Sequence, residues 1–337
     1  MKKIITFGEL LLRFSTNIGE RLFQTDQIYS HFGGAEANVA ISLAKFGHKV
    51  YFVSKVPKNP LGYAAEKHLK TNGVHTEYLR TGGDRLGTYY VESGVGPRSA
   101  QVVYDRKYSS ISQLALRDVD FEMIFSGAAL YHVSGITPAL SPSLKETVLY
   151  SLQKAKQFGV TTSFDFNYRA TLWSQQEAAI AFQTFLPYVD ICSCGELDAR
   201  YLLGIEPTGD TLEKREQLAY YYQQIQLMYP NIQWLYCTFR DVISASTNIL
   251  QGNIYTNGTL YQSKMHPIDQ MVDRVGGGDA FAAGILHGIM REWAPEEIAA
   301  FATAASVLKH TIRGDYSNFT ESEIRDFIHT TPGKIVR

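Results

Sequence analysis

Three cysteines, Cys192, Cys194 and Cys237, are all that this 337-residue chain contains. So few cannot build a disulfide framework, and their spacing lacks the paired pattern of a zinc site. A reducing, cytoplasmic setting is expected, and the alternating positions of YVDICSC predict packing rather than redox chemistry. An excess of charge is lacking too. With 32 Lys and Arg against 33 Asp and Glu, no overall field draws in nucleic acid or an anionic membrane, so neither is an expected partner. No stretch approaches the roughly 20 uninterrupted apolar residues of a membrane span. The opening MKKIITFGELLLRF superficially matches a signal peptide, but Glu9 and Arg13 interrupt its apolar run and no small-residue cleavage site follows. A first β-strand is expected there instead.

The common fingerprints of nucleotide and metal sites are also missing. There is no GxxxxGK[ST] loop, and GVGPRS, from Gly94, has Ser99 where GxGxxG requires its third glycine. The nine histidines include no HExxH, and His132 in YHVSG is expected to be packed. Repeats, low-complexity tracts and linkers are absent.

What remains is a regular alternation. ITFGE, KVYFVSKV, ALYHVSG, TTSFDFN and YVDICSC read as strands, separated by helical stretches such as AEANVAISLAKFG and SPSLKETVLYSLQKAKQFG. That order implies parallel βαβ units: an α/β fold with an open, mostly parallel sheet flanked by helices. Two segments, about 14–32 and 86–106, break the rhythm. The second holds GTYYVES and AQVVYDR around a turn, so both segments are expected to form a small β-sheet lid on a single domain spanning 1–337. Asn257-Gly258 predicts a further hairpin at the sheet edge. The last third reads as helices, with Pro295 opening one of them.

The most demanding stretch is VDRVGGGDAFAAG, Val272 to Gly284. Three consecutive glycines, Gly276, Gly277 and Gly278, forfeit backbone entropy on folding and need a reason. Apolar residues at helical spacing predict a helix over Asp279–Met290, which places the glycines at its N-terminus. There, free amides and the helix dipole favour an anion, and glycine lets a phosphate approach the backbone. Asp279, in the first turn, serves either as a cap or as a chemical group; for an isolated GGGD the two readings are balanced.

The wider context tips that balance. VDRVGGGDAFAAG resembles the C-terminal signature of the ribokinase-like (PfkB) carbohydrate kinases, and FGGAEANVAISLAKFG, Phe32 to Gly47, resembles their N-terminal signature. Within the family, RLGTYYVE, VVYDRKYSS, HVSGITPALS, DFNYRATLW and LKHTIRGD are similar to the 2-keto-3-deoxygluconate kinases, so the likeness covers nearly the whole chain. The resemblance implies a ribokinase-like fold and transfer of the ATP γ-phosphoryl group to the terminal hydroxyl of a keto-deoxy sugar acid. Such a transfer passes through a loose transition state that the protein mainly positions and neutralises.

By the same resemblance, Gly276, Gly277 and Gly278 form the anion hole and Asp279 is the base, its ionised form favoured by the helix N-terminus. Gly34, Asn38, Tyr89, Tyr104, Arg106 and Arg169 are implied to bind the sugar acid, the two arginines clamping its carboxylate if they converge. Gly276, Gly278 and Arg240 are implied to contact ATP, as is the late helix around Ala302 to Ala305. Magnesium is expected on the ATP phosphates, held by phosphate and water, with no protein ligand assigned. One departure stands out: many relatives carry NxxE near the metal, where this chain has GELD, Gly195 to Asp198. Keto-deoxygalactonate or fructose remain alternative acceptors, and a sugar-binding regulator without turnover is the alternative outside the enzymes. A Tyr-rich lid also suggests a homo-oligomer.

Overall fold

The computed structural model of the chain describes residues 2–208 and 212–329. In chain order its strands are β1 (Lys3–Phe7), β2 (Leu11–Ser15), β3 (Tyr29–Gly33), β4 (Lys49–Val56) and β5 (Leu79–Thr81). Next come β6 (Thr88–Glu92), β7 (Gln101–Asp105), β8 (Ala128–Ser134), β9 (Thr161–Asp165) and β10 (Ile191–Ser193). The last are β11 (Trp234–Val242), β12 (Asn248–Thr256), β13 (Thr259–Gln262) and β14 (His266–Ile268).

Ten of these strands form the main sheet in the order β13-β12-β11-β10-β9-β8-β1-β4-β5, with β14 paired to β12. From β5 across to β11 every pairing is parallel. The first strand is therefore central. It is flanked by β4 on one side and β8 on the other, so the chain reverses its direction of travel through the sheet at this point. In open α/β sheets, ligands bind in the crevice outside the carboxyl ends of strands at such a reversal.

Register shows why the interior is apolar until that end is reached. The row Val53, Phe7, Val133, Phe164, Cys192, Leu235 runs across six neighbouring strands, and every member is fully buried. Cys192 is thus a packing residue, as its alternation predicted. One position further on, the row Ser134, Asp165, Ser193, Tyr236 is polar. His132 is buried, with Nδ1 2.9 Å from the Ser163 hydroxyl.

The Asn257-Gly258 turn joins β12 to the edge strand β13, both residues having positive φ, 50° and 73°. The helix Gly277–Met290 lies against Pro295–Lys309. A Cβ on Gly284 would meet the Ala302 Cα at 2.6 Å, so the alanines of the second helix serve close helix packing. Ala302, Ala304 and Ala305 are buried and are not among the residues lining the cavity described below. Among the described residues, the longest helix that escaped the sequence reading is Lys214–Met228. Its buried Leu218, Tyr221, Tyr222 and Ile225 do carry helical spacing, but the tyrosines disguise it as strand-like.

The remaining strands build a separate four-stranded sheet, β3-β2-β6-β7. β6 and β7 are antiparallel, as the two runs of the second segment implied, while β2 and β6 are parallel. This sheet is tied to the C-terminal loops by a buried ion network: Arg13 Nη1 lies 2.8 Å from Asp273 and 2.9 Å from Asp315. No described helix is long and apolar enough to cross a membrane.

Candidate active site

A cavity of ≈ 530 Å³ opens at the carboxyl ends of β1, β8, β9 and β10, under the small sheet. Gly276, Gly277, Gly278 and Asp279 line it from one side. Gly34, Asn38, Tyr89, Tyr104 and Arg106 line it from the other, and Arg169 and Arg240 complete the wall. Of the residues implied to bind substrate or nucleotide, all but those of the late helix around Ala302 to Ala305 therefore reach one space. Their bonding differs in several places from what the sequence suggested.

The three glycines have three different reasons. Gly276 caps the helix at φ 81°, and a Cβ there would lie 1.5 Å from the Asp315 backbone oxygen. A Cβ on Gly277 would meet the His310 ring at 2.4 Å. Around Gly278 nothing lies within 4 Å, because it faces the cavity. The first two glycines let the backbone pack tightly; the third leaves the mouth of the helix open to a ligand. Gly34 likewise answers to packing, since a Cβ would fall 1.9 Å from the Glu9 carbonyl oxygen.

Asp279 is held rather than free. Asn38 Nδ2 donates to its Oδ2 at 2.7 Å, while Asn38 Oδ1 accepts from the Gly34 amide at 3.3 Å. Asn38 is thus buried and holds Asp279 while also lining the cavity. The helix N-terminus, expected to favour ionised Asp279, is opposed by the surroundings of the carboxyl. Burial pushes its pKa up to about 7 against the opposing Asn38 hydrogen bond, and nearby Asp165, Asp315 and Glu36 add to the rise. Asp165, in the same cavity, is pushed up to about 6, chiefly by burial.

Both implied carboxylate-binding arginines reach the cavity, but with unequal charge to offer. Arg106 is ion-paired with Glu9: its Nε donates at 2.8 Å, its Nη2 makes a second contact, and Ser109 Oγ donates to the other Glu9 oxygen at 2.5 Å. Arg169 is exposed and donates to the Tyr168 carbonyl at 3.1 Å. Arg106 thus faces the cavity as half of an ion pair, and Arg169 faces it near Asp165 and Asp198, whose charged forms it favours. Tyr89 and Tyr104 face each other across β6 and β7 with stacked rings 5.5 Å apart. The Tyr89 hydroxyl donates to Asp315, whereas Tyr104 is exposed.

Asp315 was not singled out from the sequence. It gathers Arg13 and Tyr89 and supports Gly276, and only the sequence IRGD marked its position. The GELD departure also has an explanation. Asp198 accepts from the Gly195 amide at 2.9 Å, capping the helix Glu196–Leu203, and Glu196 pairs with Arg200. Among the described residues no group of three His, Cys, Asp or Glu side chains is arranged to hold a metal ion.

A glycine-lined helix mouth beside a held carboxylate can receive a phosphoryl group and orient a hydroxyl, and comparison with known proteins agrees with that chemistry. The model of the pfkB family carbohydrate kinases matches residues 1–321. A crystal structure of a PfkB family carbohydrate kinase from Listeria grayi is 45% identical, with a TM-score of 0.93 over 98% of this chain and 100% of that one. The crystal structure of 2-dehydro-3-deoxygluconokinase from Thermotoga maritima is 41% identical, with a TM-score of 0.94 and the same coverage. The 2-dehydro-3-deoxygalactonokinase of Haloferax volcanii is 33% identical over 96% of this chain and 95% of its own. With fold, helix mouth and sequence in agreement along the chain, it belongs to the PfkB family and is a carbohydrate kinase.

Proposed function

We propose that this kinase transfers the γ-phosphoryl group of ATP to the terminal hydroxyl of 2-keto-3-deoxygluconate, giving the 6-phosphate. The observation that carries this reading is Gly278 and Asp279 facing one cavity in which Arg169 makes no salt bridge among the described residues. The amides at the helix start receive the migrating phosphoryl oxygens. Asp279, oriented by Asn38, accepts the proton of the attacking hydroxyl. Arg169 supplies the charge that favours a sugar acid over a neutral sugar.

Magnesium, when bound with ATP, neutralises charge on the phosphates. An ion that arrives on the triphosphate would keep mainly phosphate and water ligands. The three cysteines carry no disulfide, which suits a cytoplasmic setting. The edge strand β7 exposes Val102 and Val103, which supports a homo-oligomer; light scattering of the purified protein checks it.

The related gluconate and galactonate kinases act on acceptors that differ at one hydroxyl, so the acceptor must be tested directly. Side-by-side assays with both keto-deoxy acids and fructose are expected to favour the gluconate-derived acid. Faster turnover of the galactonate epimer or of fructose replaces this reading, and binding without ADP release favours a regulator. Arg169→Ala is expected to lower kcat/KM for the acid roughly ten- to a hundredfold while sparing fructose, because one charged hydrogen bond is lost. An equal loss on both acceptors contradicts the assignment.

The raised pKa of Asp279 gives a second check. Its carboxyl must be ionised to accept a proton, so kcat/KM is expected to fall as pH drops below about 7. Asn38 stabilises the ionised form, and Asn38→Ala therefore moves the acid limb to higher pH. A limb that stays in place, or moves down, removes Asn38 from this role.

A further inference from the structure

Four arginines line the cavity: Arg106, Arg169, Arg240 and Arg274. Arg106 is taken by Glu9, and Arg169 stands among the groups that follow β9. The remaining two flank the glycine strip. Arg274 lies two residues before Gly276, exposed, with no ion pair among the described residues. Arg240, near the end of β11, has no carboxylate partner there either; its Nη2 lies 3.4 Å from His310 Nε2.

The histidine can only accept that bond. Its Nδ1 is 2.6 Å from the Ser306 carbonyl oxygen and so carries the proton, leaving the Nε2 lone pair toward Arg240. The same ring lies where a Cβ on Gly277 would fall, so it sets the guanidinium beside the anion hole. Arg240 is thus held at the rim by a neutral acceptor, keeping its full charge uncompensated. Burial first and the like charge of Arg274 second lower the Arg240 pKa to about 10.

We propose that Arg274, with Arg240, grips the phosphate chain of the nucleotide, a role that rests on the ATP-dependent reading above. A polyanion is the ligand class that turns the unfavourable juxtaposition into a favourable one. The nearby carboxylates offer no substitute: Asp198 caps its helix and Glu196 pairs with Arg200. Magnesium cancels only part of the triphosphate charge, and the two guanidiniums take the remainder.

The test uses the full-length protein and calorimetric binding of ATP, ADP and the sugar acid to wild type, Arg274→Gln and Arg274→Lys. Arg274→Gln alters an exposed side chain, and an unchanged melting temperature verifies its fold. Its affinity for ATP and ADP is expected to fall roughly ten- to a hundredfold, with sugar-acid affinity within twofold of wild type and partial recovery in Arg274→Lys. Arg240→Gln is expected to weaken the same two nucleotides.

Unchanged nucleotide affinity in Arg274→Gln overturns the inference alone, and so does a loss confined to the sugar acid. Arg274 also borders a neighbouring cavity of ≈ 120 Å³, and an arginine serving only that space gives the first of those outcomes. Wild-type protein that neither binds ATP nor releases ADP overturns the ATP-dependent reading and this inference together.

Discussion

Replacing Asp279 by asparagine is expected to lower kcat by about 10²–10⁴-fold, the usual contribution of a positioned general base. Asparagine keeps the shape and can still meet Asn38. What disappears is the acceptor for the hydroxyl proton. The same substitution is expected to stabilise the fold, with a definite pH dependence. The folded-state pKa of Asp279 is raised to about 7 from an ordinary 3.8, so the unfolded chain gives up this proton first. The carboxyl therefore carries no penalty below about pH 4, an increasing one from there to pH 7, and the full one above it. Asp279→Asn should match wild type in stability near pH 4 and exceed it near pH 8, by a few kcal/mol at most. Denaturant titrations at the two pH values, beside turnover, check both halves. Near-wild-type turnover would remove Asp279 from the chemistry.

Gly276→Ala is expected to destabilise the protein by at least about 3 kcal/mol, combining left-handed backbone strain with steric overlap. The new Cβ would fall 1.5 Å from the Asp315 backbone oxygen, at a position with φ 81°. That oxygen has little room to move, because the Asp315 side chain is buried and bonded to Arg13 and Tyr89. Gly278→Ala is the matched control. It adds a methyl where nothing lies within 4 Å and replaces glycine in a helix, so stability should be unchanged or rise by up to about 1 kcal/mol. Turnover should nevertheless fall, since the methyl enters the helix mouth. Equal stability losses in the two variants would mean that the glycines do not divide their work in this way.

Much of this was legible from residue order alone. Strand and helix periods place the central sheet, because the buried row through Phe7, Val133 and Phe164 needs uninterrupted apolar positions. The glycine run and its aspartate stand out because few structures call for three flexible residues before a helix. What residue order cannot carry is who pairs with whom across the chain. Arg106 finds Glu9 at a separation of 97 residues, and Arg13 finds Asp315 at 302. Those pairings decide which arginine is free, and no local pattern encodes them. The rise in the Asp279 pKa was not legible for a related reason: the helix dipole is local and readable, whereas burial beside Asp165, Asp315 and Glu36 appears only after folding.

The sharpest single measurement is the fate of the terminal phosphate. Wild-type protein incubated with γ-labelled ATP, magnesium and 2-keto-3-deoxygluconate is expected to release ADP only when the sugar acid is present, with the label recovered as an ester on its terminal oxygen. Release of labelled inorganic phosphate without ester, or an ester on any other oxygen, would contradict the arrangement of helix mouth, carboxylate and acceptor described for this cavity.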